Sequence, residues 1–373
     1  MSYQIIQSSS QLDSVCQFLR QPTTTLMLDT EFVRTRTYYA KLGLLQLFDG
    51  NECFLVDPVL LSLKNSEFWS LLQRHHWVLH AFGEDLEILN HHVDTFGLSV
   101  FDTQIGAAFL GHGVSLGYQA LIEQTTGILL DKGESRTDWL ARPLTEKQLD
   151  YASKDVIYLK TAYEAVISQL ESRQLYQYAL DECTRLAQSR CKDVLPERAY
   201  LDVKNAWRLN RQQLAILQLL SAWRVNTAIE KDMPVNNVVK ADVLWNIAKY
   251  QPTQKTALKN TGITPQALRI HGCKLLELVK QGSDLDESSW PLKIKRMIDY
   301  PNYKSSLKLV RESLAIAEAE TTIPAEVLAP KRLIHEWLSW LWQDNKEHES
   351  HMNKPVLLSG WRAEVLPHYL PAC

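Results

Sequence analysis

Short apolar runs and amphipathic stretches alternate in the first third of the chain. Each apolar run has the length and composition of a strand, and the stretches between the runs have helical spacing. Strands that lie close together and are then interleaved with helices predict an α/β domain with a mixed sheet. The expected strands cover residues 25–29, 44–48, 52–56 and 76–80, and the expected helices lie near 9–20, 64–74, 84–92 and 103–111.

From Leu116 onward the strand pattern fades and helical spacing takes over. Thr145-Glu-Lys-Gln148 has the form of a capping box, which predicts the start of a helix. In the following segments, prolines and glycines separate several shorter helices, one of which is expected after Gly272. Breaks near 191–203 and 282–292 divide the chain. We therefore expect three domains, at residues 1–195, 204–285 and 293–373.

Length and composition fit this division. With 373 residues, 45% of them hydrophobic and 22% charged, the chain has enough apolar surface to offset its conformational entropy, which excludes a mainly disordered protein. No apolar run approaches the roughly 18–20 residues that span a bilayer, and the start of the chain lacks the pattern of a secretory signal. Six cysteines without metal-ligand spacing predict reduced thiols in a cytoplasmic protein. They are Cys16, Cys53, Cys183, Cys191, Cys273 and Cys373.

The net charge of −3 conceals an uneven distribution of charge. Residues 1–165 carry 12 Lys and Arg against 20 Asp and Glu, whereas residues 200–300 carry 15 against 9. An acidic first part and a basic middle part suggest carboxylate chemistry in one and contact with a polyanion in the other. Solvated surfaces that differ in charge by chance remain the alternative.

Two carboxylates at the end of the first predicted strand are the most informative feature. Side chains alternate along a strand, so Asp29 and Glu31 are expected on one face and Thr30 on the other. Two such charges repel each other beside a buried sheet unless a cation neutralises them, and a hard divalent ion with oxygen ligands would do so. The alternative is a solvated strand end that binds nothing.

Two further segments carry acids that could join this pair. Tyr151 and Asp155 are four residues apart on the helix after the capping box, so they share a face, and a phenol beside a carboxylate could hold or deprotonate a water molecule. A surface Tyr–Asp pair is the alternative. Asp85 follows the strand at 76–80, but Glu84 and Glu87 are its neighbours, and the spacing does not choose among the three. A helix-capping role for Asp85 also remains open.

In combination these segments resemble a known family. LDTEF (28–32), HAFGEDLEIL (80–89) and YASKDVIYL (151–159) are similar to the three exonuclease motifs of the DEDD nuclease superfamily, in the variant with tyrosine in the third motif. Their flanking sequences resemble bacterial ribonuclease D. Residues 220–252 are similar to the helical HRDC domain, and 323–338 with 360–366 resemble the second, divergent HRDC copy of that family. The resemblance covers nearly the whole chain.

The resemblance implies a fold, a site and an activity. The fold would be an α/β ribonuclease-H-like exonuclease domain followed by two all-α HRDC-type domains. Asp29, Glu31, Asp85 and Asp155 would hold two divalent metal ions, Mg²⁺ or Mn²⁺, and Tyr151 would position or help to activate the attacking water. The activity would be 3′→5′ hydrolysis of RNA to nucleoside 5′-monophosphates, with 3′-extended tRNA precursors and other small stable RNAs as substrates. We expect a monomer that makes no contact with membranes.

The basic middle part would then hold RNA. Its lysines and arginines could contact phosphates, and its tryptophans could stack on bases, although tryptophans at helical spacing are more often core residues. Two other functions remain open, because the carboxylates do not distinguish the sugars: a 3′→5′ DNA exonuclease of the proofreading or repair type, and an inactive RNA-binding scaffold. The candidate RNA contacts are Arg208, Arg211, Arg224, Lys231, Lys240, Lys249, Lys255 and Lys259, with Trp207, Trp223 and Trp245 for stacking.

Overall fold

The computed structural model forms two compact units. The first contains residues 1–33, 41–192 and 301–373, and the second contains residues 34–40 and 193–300. Among the cysteines, Cys191 and Cys373 lie outside the described residues, and the other four are free thiols. The predicted helix at 64–74 also begins outside them, at residues 64–65. The structure describes residues 2–22, 24–63, 66–93, 97–130, 133–134, 137–190, 195–342 and 354–371.

A six-stranded mixed sheet forms the centre of the first unit, with the strand order β1-β4-β3-β2-β5-β6. Strand β3 runs antiparallel to both β2 and β4, and the other pairs are parallel. All four predicted strands are confirmed. The two additional strands have three residues each, which is too short for a periodic signal. The strands are β1 (Gln4–Ile6), β2 (Thr25–Val33), β3 (Lys41–Phe48), β4 (Cys53–Val56), β5 (His76–Leu79) and β6 (Val100–Asp102).

In the described part of residues 1–192, seven helices surround this sheet. The capping box at Thr145 is confirmed, because its backbone N–H donates to Gln148 Oε1 at 3.0 Å and its hydroxyl accepts from the Gln148 N–H at 3.2 Å. The helix that it opens packs against β2, β3 and β4. The helices are α1 (Ser9–Leu19), α2 (Glu67–Leu72), α3 (Gly83–Leu89), α4 (Thr103–Phe109), α5 (Tyr118–Thr126), α6 (Glu146–Ser172) and α7 (Tyr176–Arg190).

The C-terminal segment also belongs to the first unit. The ring of Trp361 lies 5.1 Å from the ring of Phe109 in α4 and 5.7 Å from that of Tyr178 in α7. Burial of the Trp361 and Phe109 side chains therefore attaches α16 to the rest of the first unit. The helices of this segment are α13 (Tyr303–Thr321), α14 (Ala325–Leu328), α15 (Lys331–Leu341) and α16 (Gly360–Val365).

The second unit is helical and has its own apolar core, built from residues of α8, α10 and α12. Residues 34–40, which follow β2 directly, belong to it, and the backbone N–H groups of Tyr38 and Tyr39 donate to Asp232 Oδ1 at 3.0 and 3.2 Å. The helix expected after Gly272 begins earlier, at Pro265, because Thr264 caps it. The helices are α8 (Arg211–Glu230), α9 (Val235–Val238), α10 (Ala241–Tyr250), α11 (Lys255–Leu258) and α12 (Pro265–Ser283).

Within the described residues, no helix combines the length and the apolar character that crossing a bilayer requires.

Candidate active site

Three of the predicted carboxylates meet at one place. Asp29 and Glu31 lie on β2, and Asp155 lies on α6; one oxygen of each falls within 4.8 Å of the other two. The two strand residues share a face because they are two positions apart, and the pairing of β2 with β3 is irregular immediately after Glu31. The structure thus brings together side chains that are 124 to 126 positions apart in the sequence.

Asp85 lies outside that group of three, in the first turn of α3. Its side chain is buried, and its Oδ1 accepts a hydrogen bond from the hydroxyl of Thr30, the residue between the two strand carboxylates. Its negative charge nevertheless raises the pKa of Asp29, so it is close enough to act on the group. Of the three neighbouring acids, Glu84 is exposed and Glu87 is half-buried, so burial distinguishes Asp85 where the spacing did not.

The four carboxyl groups cannot easily all be charged together. Burial and the charges of Asp85 and Asp155 raise the pKa of Asp29 well above its usual range, and burial with the same two neighbours raises the pKa of Glu31 to about 9. Burial also raises the pKa of Asp155 to about 7 and that of Asp85 to about 6. A buried set of carboxylate oxygens that repel one another fits a hard divalent cation, which prefers oxygen ligands and supplies the missing positive charge.

Tyr151 lies one turn before Asp155 on α6, as predicted, and is hydrogen-bonded to its carboxylate. Burial and the charge of Asp155 raise the pKa of Tyr151 further above its usual range. The phenol therefore keeps its proton at neutral pH and acts as a donor. Of the two roles that the sequence left open, this favours holding a water molecule over deprotonating it.

Tyr118 and His80 form part of the site wall, and neither was predicted as a functional residue, although His80 opens the second motif. The Tyr118 hydroxyl donates to the backbone oxygens of Asp155 at 2.6 Å and Lys154 at 3.1 Å. The ring of His80 lies 5.6 Å from that of Tyr118, and its two nitrogens lie 2.9 Å from Thr103 Oγ1 and Leu116 O. Burial lowers the pKa of His80 to about 4, so its imidazole is neutral.

A second support that the sequence did not reveal stands behind Tyr151. The ring of the buried Trp139 lies 6.2 Å from that of Tyr151. Arg142 holds this segment, because it donates to Trp139 O and Gly43 O and pairs with Asp57 through two hydrogen bonds. Gly43 must be a glycine here, since a Cβ at that position would lie 2.6 Å from Trp139 O.

Two cavities adjoin the carboxylates. The smaller, of about 180 Å³, is lined by Asp29, Tyr151 and Asp155 among others. The larger, of about 860 Å³, lies between α5, α6 and residues 128–130 and 133–134, and it shares Tyr118, Tyr151 and Asp155 with the smaller one. A concave space of this size beside the carboxylates can accept nucleotides.

The candidate RNA contacts of the second unit differ in their exposure to solvent. The prediction for Arg224 is wrong: it is only 8% exposed, because it lies on the buried side of α8. Arg211 is half-buried and bonded to Pro291 O and Glu287. The three tryptophans are half-buried. Trp223 and Trp245 pack against the apolar core of the unit, which favours a role in the core, whereas the guanidinium groups of Arg208 and Arg296 lie over the ring of Trp207. The exposed candidates are Arg208, Lys231, Lys240, Lys249, Lys255 and Lys259.

Comparison with known proteins agrees with this arrangement of sheet and helices. Ribonuclease D of Psychromonas ingrahamii (strain DSM 17664 / CCUG 51855 / 37) is 41% identical to this chain over 99% of both sequences. The chain belongs to the ribonuclease D family. Ribonuclease D of Escherichia coli (strain K12) is 40% identical, over 99% of this chain and 98% of its own length. The crystal structure of Escherichia coli RNase D matches with a TM-score of 0.91 at 39% identity, covering 99% of this chain and 98% of the other.

Three family models match successive segments of this chain. A 3′-5′ exonuclease model matches residues 3–171, an HRDC domain model matches 213–279, and a model of the ribonuclease D C-terminal HRDC domain matches 301–370. The predicted fold class, an α/β exonuclease domain followed by two HRDC-type domains, is confirmed. The predicted enzyme class, a 3′→5′ exoribonuclease, is confirmed as well, which favours it over the DNA exonuclease and the inactive scaffold. This class of exonuclease depends on divalent metal ions, and the acidic cluster is present.

Proposed function

We propose that Asp29, Glu31, Asp85 and Asp155 hold two divalent cations, Mg²⁺ or Mn²⁺, and that Tyr151 positions the water that attacks the last phosphodiester of an RNA 3′ end. The observation that carries the proposal is the meeting of three carboxylates, with oxygens within 4.8 Å, in a pocket where burial opposes their charge. Bound cations of this kind lower the pKa of water and stabilise the leaving oxygen. The products would be nucleoside 5′-monophosphates.

Each protein group has a separate task in this proposal. The strand β2 fixes Asp29 and Glu31 on one face, and α6 brings Asp155 and Tyr151 to them on one helical turn. The protonated phenol of Tyr151, which is hydrogen-bonded to Asp155 here, would donate to a water molecule instead once Asp155 binds a cation. Asp85 accepts a hydrogen bond from Thr30 and adds the fourth carboxylate to the site. The arrangement works by orientation, because the regular elements β2, α3 and α6 hold these side chains in fixed positions relative to one another.

The larger cavity is the proposed place of the RNA 3′ end. Its wall includes Lys147 and Lys154, which can attract phosphates, and Tyr158, which can stack on a base. The Escherichia coli relative is described as an exoribonuclease involved in structured RNA processing. This supports 3′-extended tRNA precursors and other small stable RNAs as the substrates of this chain.

The remaining features of the proposal concern the chain as a whole. We place the domain limits at 1–195, 204–285 and 293–373; each family-model match lies within one of these segments. We also propose that the protein is a monomer. We propose that it acts in the cytoplasm, which is what the scattered cysteines suggest. The exposed lysines of the second unit would hold the body of the RNA through its phosphates.

Product analysis on a 3′-extended tRNA tests the catalytic proposal. The wild-type protein should release nucleoside 5′-monophosphates in Mg²⁺ or Mn²⁺ and none in EDTA, and Asp29→Ala should lose most of the activity, since the carboxylates act as a unit. Asp13→Ala, which removes an exposed acid of α1, is the matched control and should behave like the wild type. Near-normal turnover by Asp29→Ala would show that the site is assigned wrongly. A matched DNA oligonucleotide tests the preference for RNA.

The salt dependence of RNA binding tests the role of the second unit. Changing both Lys240 and Lys255 to Ala should reduce the slope of log affinity against log salt by about 0.7 for each lost contact with single-stranded RNA. Lys308→Ala, which changes a 78% exposed lysine of the first unit, is the control. An unchanged slope in the double variant would remove these two lysines from the RNA contact.

A further inference from the structure

Gln46 is a polar residue in the middle of an apolar strand. It lies on β3 between Leu45 and Leu47, and its exposed fraction is 0%. Neither its amide nitrogen nor its amide oxygen has a hydrogen-bond partner among the residues that the structure describes. Burying a primary amide without partners is costly, and most buried polar groups of folded proteins avoid it. Stability alone would favour an apolar side chain at this position, like those on both sides of it.

The partner strand shows what Gln46 faces. In the antiparallel pairing of β2 and β3, Gln46 lies directly opposite Asp29, and Leu44 lies opposite Glu31. Directly opposed residues of an antiparallel pair point to the same face, with Cβ atoms about 4.5–5.5 Å apart. This is the face on which Asp155 of α6 meets the two strand carboxylates. The unpartnered amide therefore lies on the catalytic face, next to one of the proposed metal ligands.

The hydrogen-bonding needs of the two opposed residues complement each other. Asp29 accepts a backbone hydrogen bond from Thr30, which leaves lone pairs free, since a carboxylate offers about four acceptor positions. Gln46 has two N–H donors that are not used. The side chain of a glutamine is long enough to cross the distance between two opposed positions.

We propose that Gln46 is a positioning residue for Asp29: when the site binds its metal ions, the unpartnered amide donates a hydrogen bond to the Asp29 carboxylate and holds one oxygen toward Glu31 and Asp155. The inference rests on the proposed function, because it assigns to Gln46 the orientation of a metal ligand. Groups that orient a ligand in this way typically change metal affinity or activity by ~10- to 100-fold when they are removed. Gln46 itself touches neither substrate nor metal in this proposal.

Gln46→Met tests the inference because it keeps the size of the side chain and removes its polar atoms. In EDTA, the thermal unfolding midpoint of the variant should equal or exceed that of the wild type, since an unpartnered amide is lost. The Mn²⁺ concentration that gives half of the metal-induced rise of this midpoint should increase by ~10-fold or more, and kcat on a short RNA should fall by a similar factor. The opposite signs of the two effects distinguish positioning from packing.

Ser221→Ala is the matched control. Ser221 is also fully buried and its hydroxyl also lacks a partner among the described residues, but it lies on α8 in the second unit. This variant should raise the unfolding midpoint in EDTA and leave the half-effective Mn²⁺ concentration and kcat unchanged. The comparison separates the removal of a buried polar atom in general from the removal of this one.

An unchanged Mn²⁺ response and kcat in Gln46→Met would overturn the inference and make Gln46 an ordinary core residue. If Gln46→Met does not fold, Gln46→Leu provides the same test. If neither variant folds in EDTA, the inference is also overturned, because the amide would then be needed for folding and not for metal binding. A wild-type protein that shows no Mn²⁺-induced shift and no metal-dependent hydrolysis would instead contradict the proposed function. The two failures are therefore distinguishable.

Discussion

Arg362 in the last helix forms a buried ion pair with Glu182 in α7. Its Nη1 lies 2.5 Å from Glu182 Oε2 and its Nη2 lies 3.1 Å from Oε1, while the two side chains are 1% and 8% exposed. The same guanidinium donates to the backbone oxygens of Val327 and Leu328 in α14. Arg362 thus connects three segments of the first unit, and every polar contact that it makes is shielded from water.

Breaking this pair should destabilise the protein strongly. Arg362→Ala leaves the Glu182 carboxylate buried with one arginine, Arg185, instead of two, and the loss of one partner of a buried pair costs about 3–5 kcal/mol. Urea unfolding measures the change. Arg20→Ala is the control: its pair with Glu67 is 55% exposed on both sides, so its loss should cost less than about 1 kcal/mol. Equal costs for the two variants would contradict the importance of burial here.

The same carboxylate predicts a dependence of stability on acid. Burial raises the pKa of Glu182, but hydrogen bonds from Arg185 and Arg362 outweigh this and hold the pKa at about 2, below the usual 4.5. A lowered folded-state pKa stabilises the protein above pH 4.5, and this contribution is lost as the pH falls toward 2. The difference in unfolding free energy between the wild type and Glu182→Gln should therefore shrink over that range. A constant difference would show that Glu182 does not titrate there.

Residues close in sequence carried most of what could be predicted. Asp29 and Glu31 share a face because strands alternate, and Tyr151 and Asp155 share one because four residues make about one helical turn. The capping box at Thr145 was visible because its partners are three residues apart. The choice of Asp85 over its acidic neighbours required the resemblance to a family, and its burial supports that choice.

The rest of the site depends on contacts between distant segments, which no local pattern records. Trp139 approaches Gly43 from almost a hundred positions away, and Tyr118 reaches the backbone of α6. The prediction for Arg224 was wrong because an arginine at a regular helical position has no local sign of which side is buried. No function was predicted for Gln46, because it lies inside an apolar run and that run indicated only a strand.

Removal of one active-site charge should stabilise the metal-free protein while it abolishes hydrolysis. Burial raises the pKa values of Asp29 and its carboxylate neighbours, so in EDTA the wild type should become less stable as the pH rises from about 4, where these carboxyls titrate in the unfolded chain, to about 9, where Glu31 titrates in the folded protein. Asp29→Asn should reduce that loss and raise the unfolding free energy at pH 8, because it removes a buried carboxyl whose pKa the neighbouring charges raise. Thermal unfolding in EDTA measures this, and a destabilised Asp29→Asn would contradict it.

Tyr118→Phe should reduce catalysis without reducing the amount of folded protein. The lost hydroxyl donates to the backbone oxygens of Lys154 and Asp155, so its removal frees the turn of α6 that carries a proposed metal ligand. A misplacement of that turn by less than 1 Å can lower kcat roughly 10- to 100-fold, while KM should change little if RNA still fills the larger cavity. Single-turnover hydrolysis of a short RNA at saturating Mn²⁺ measures the effect on kcat.

Tyr163→Phe is the matched control for Tyr118→Phe. Tyr163 lies on α6 itself, two turns beyond Asp155, and its ring packs against the ring of Phe101. Both variants remove one hydroxyl from the same part of the first unit, and they differ in whether that hydroxyl supports the carboxylate. Tyr163→Phe should keep the wild-type kcat. Equal losses in the two variants would mean that the hydroxyl of Tyr118 stabilises α6 in general and does not orient Asp155.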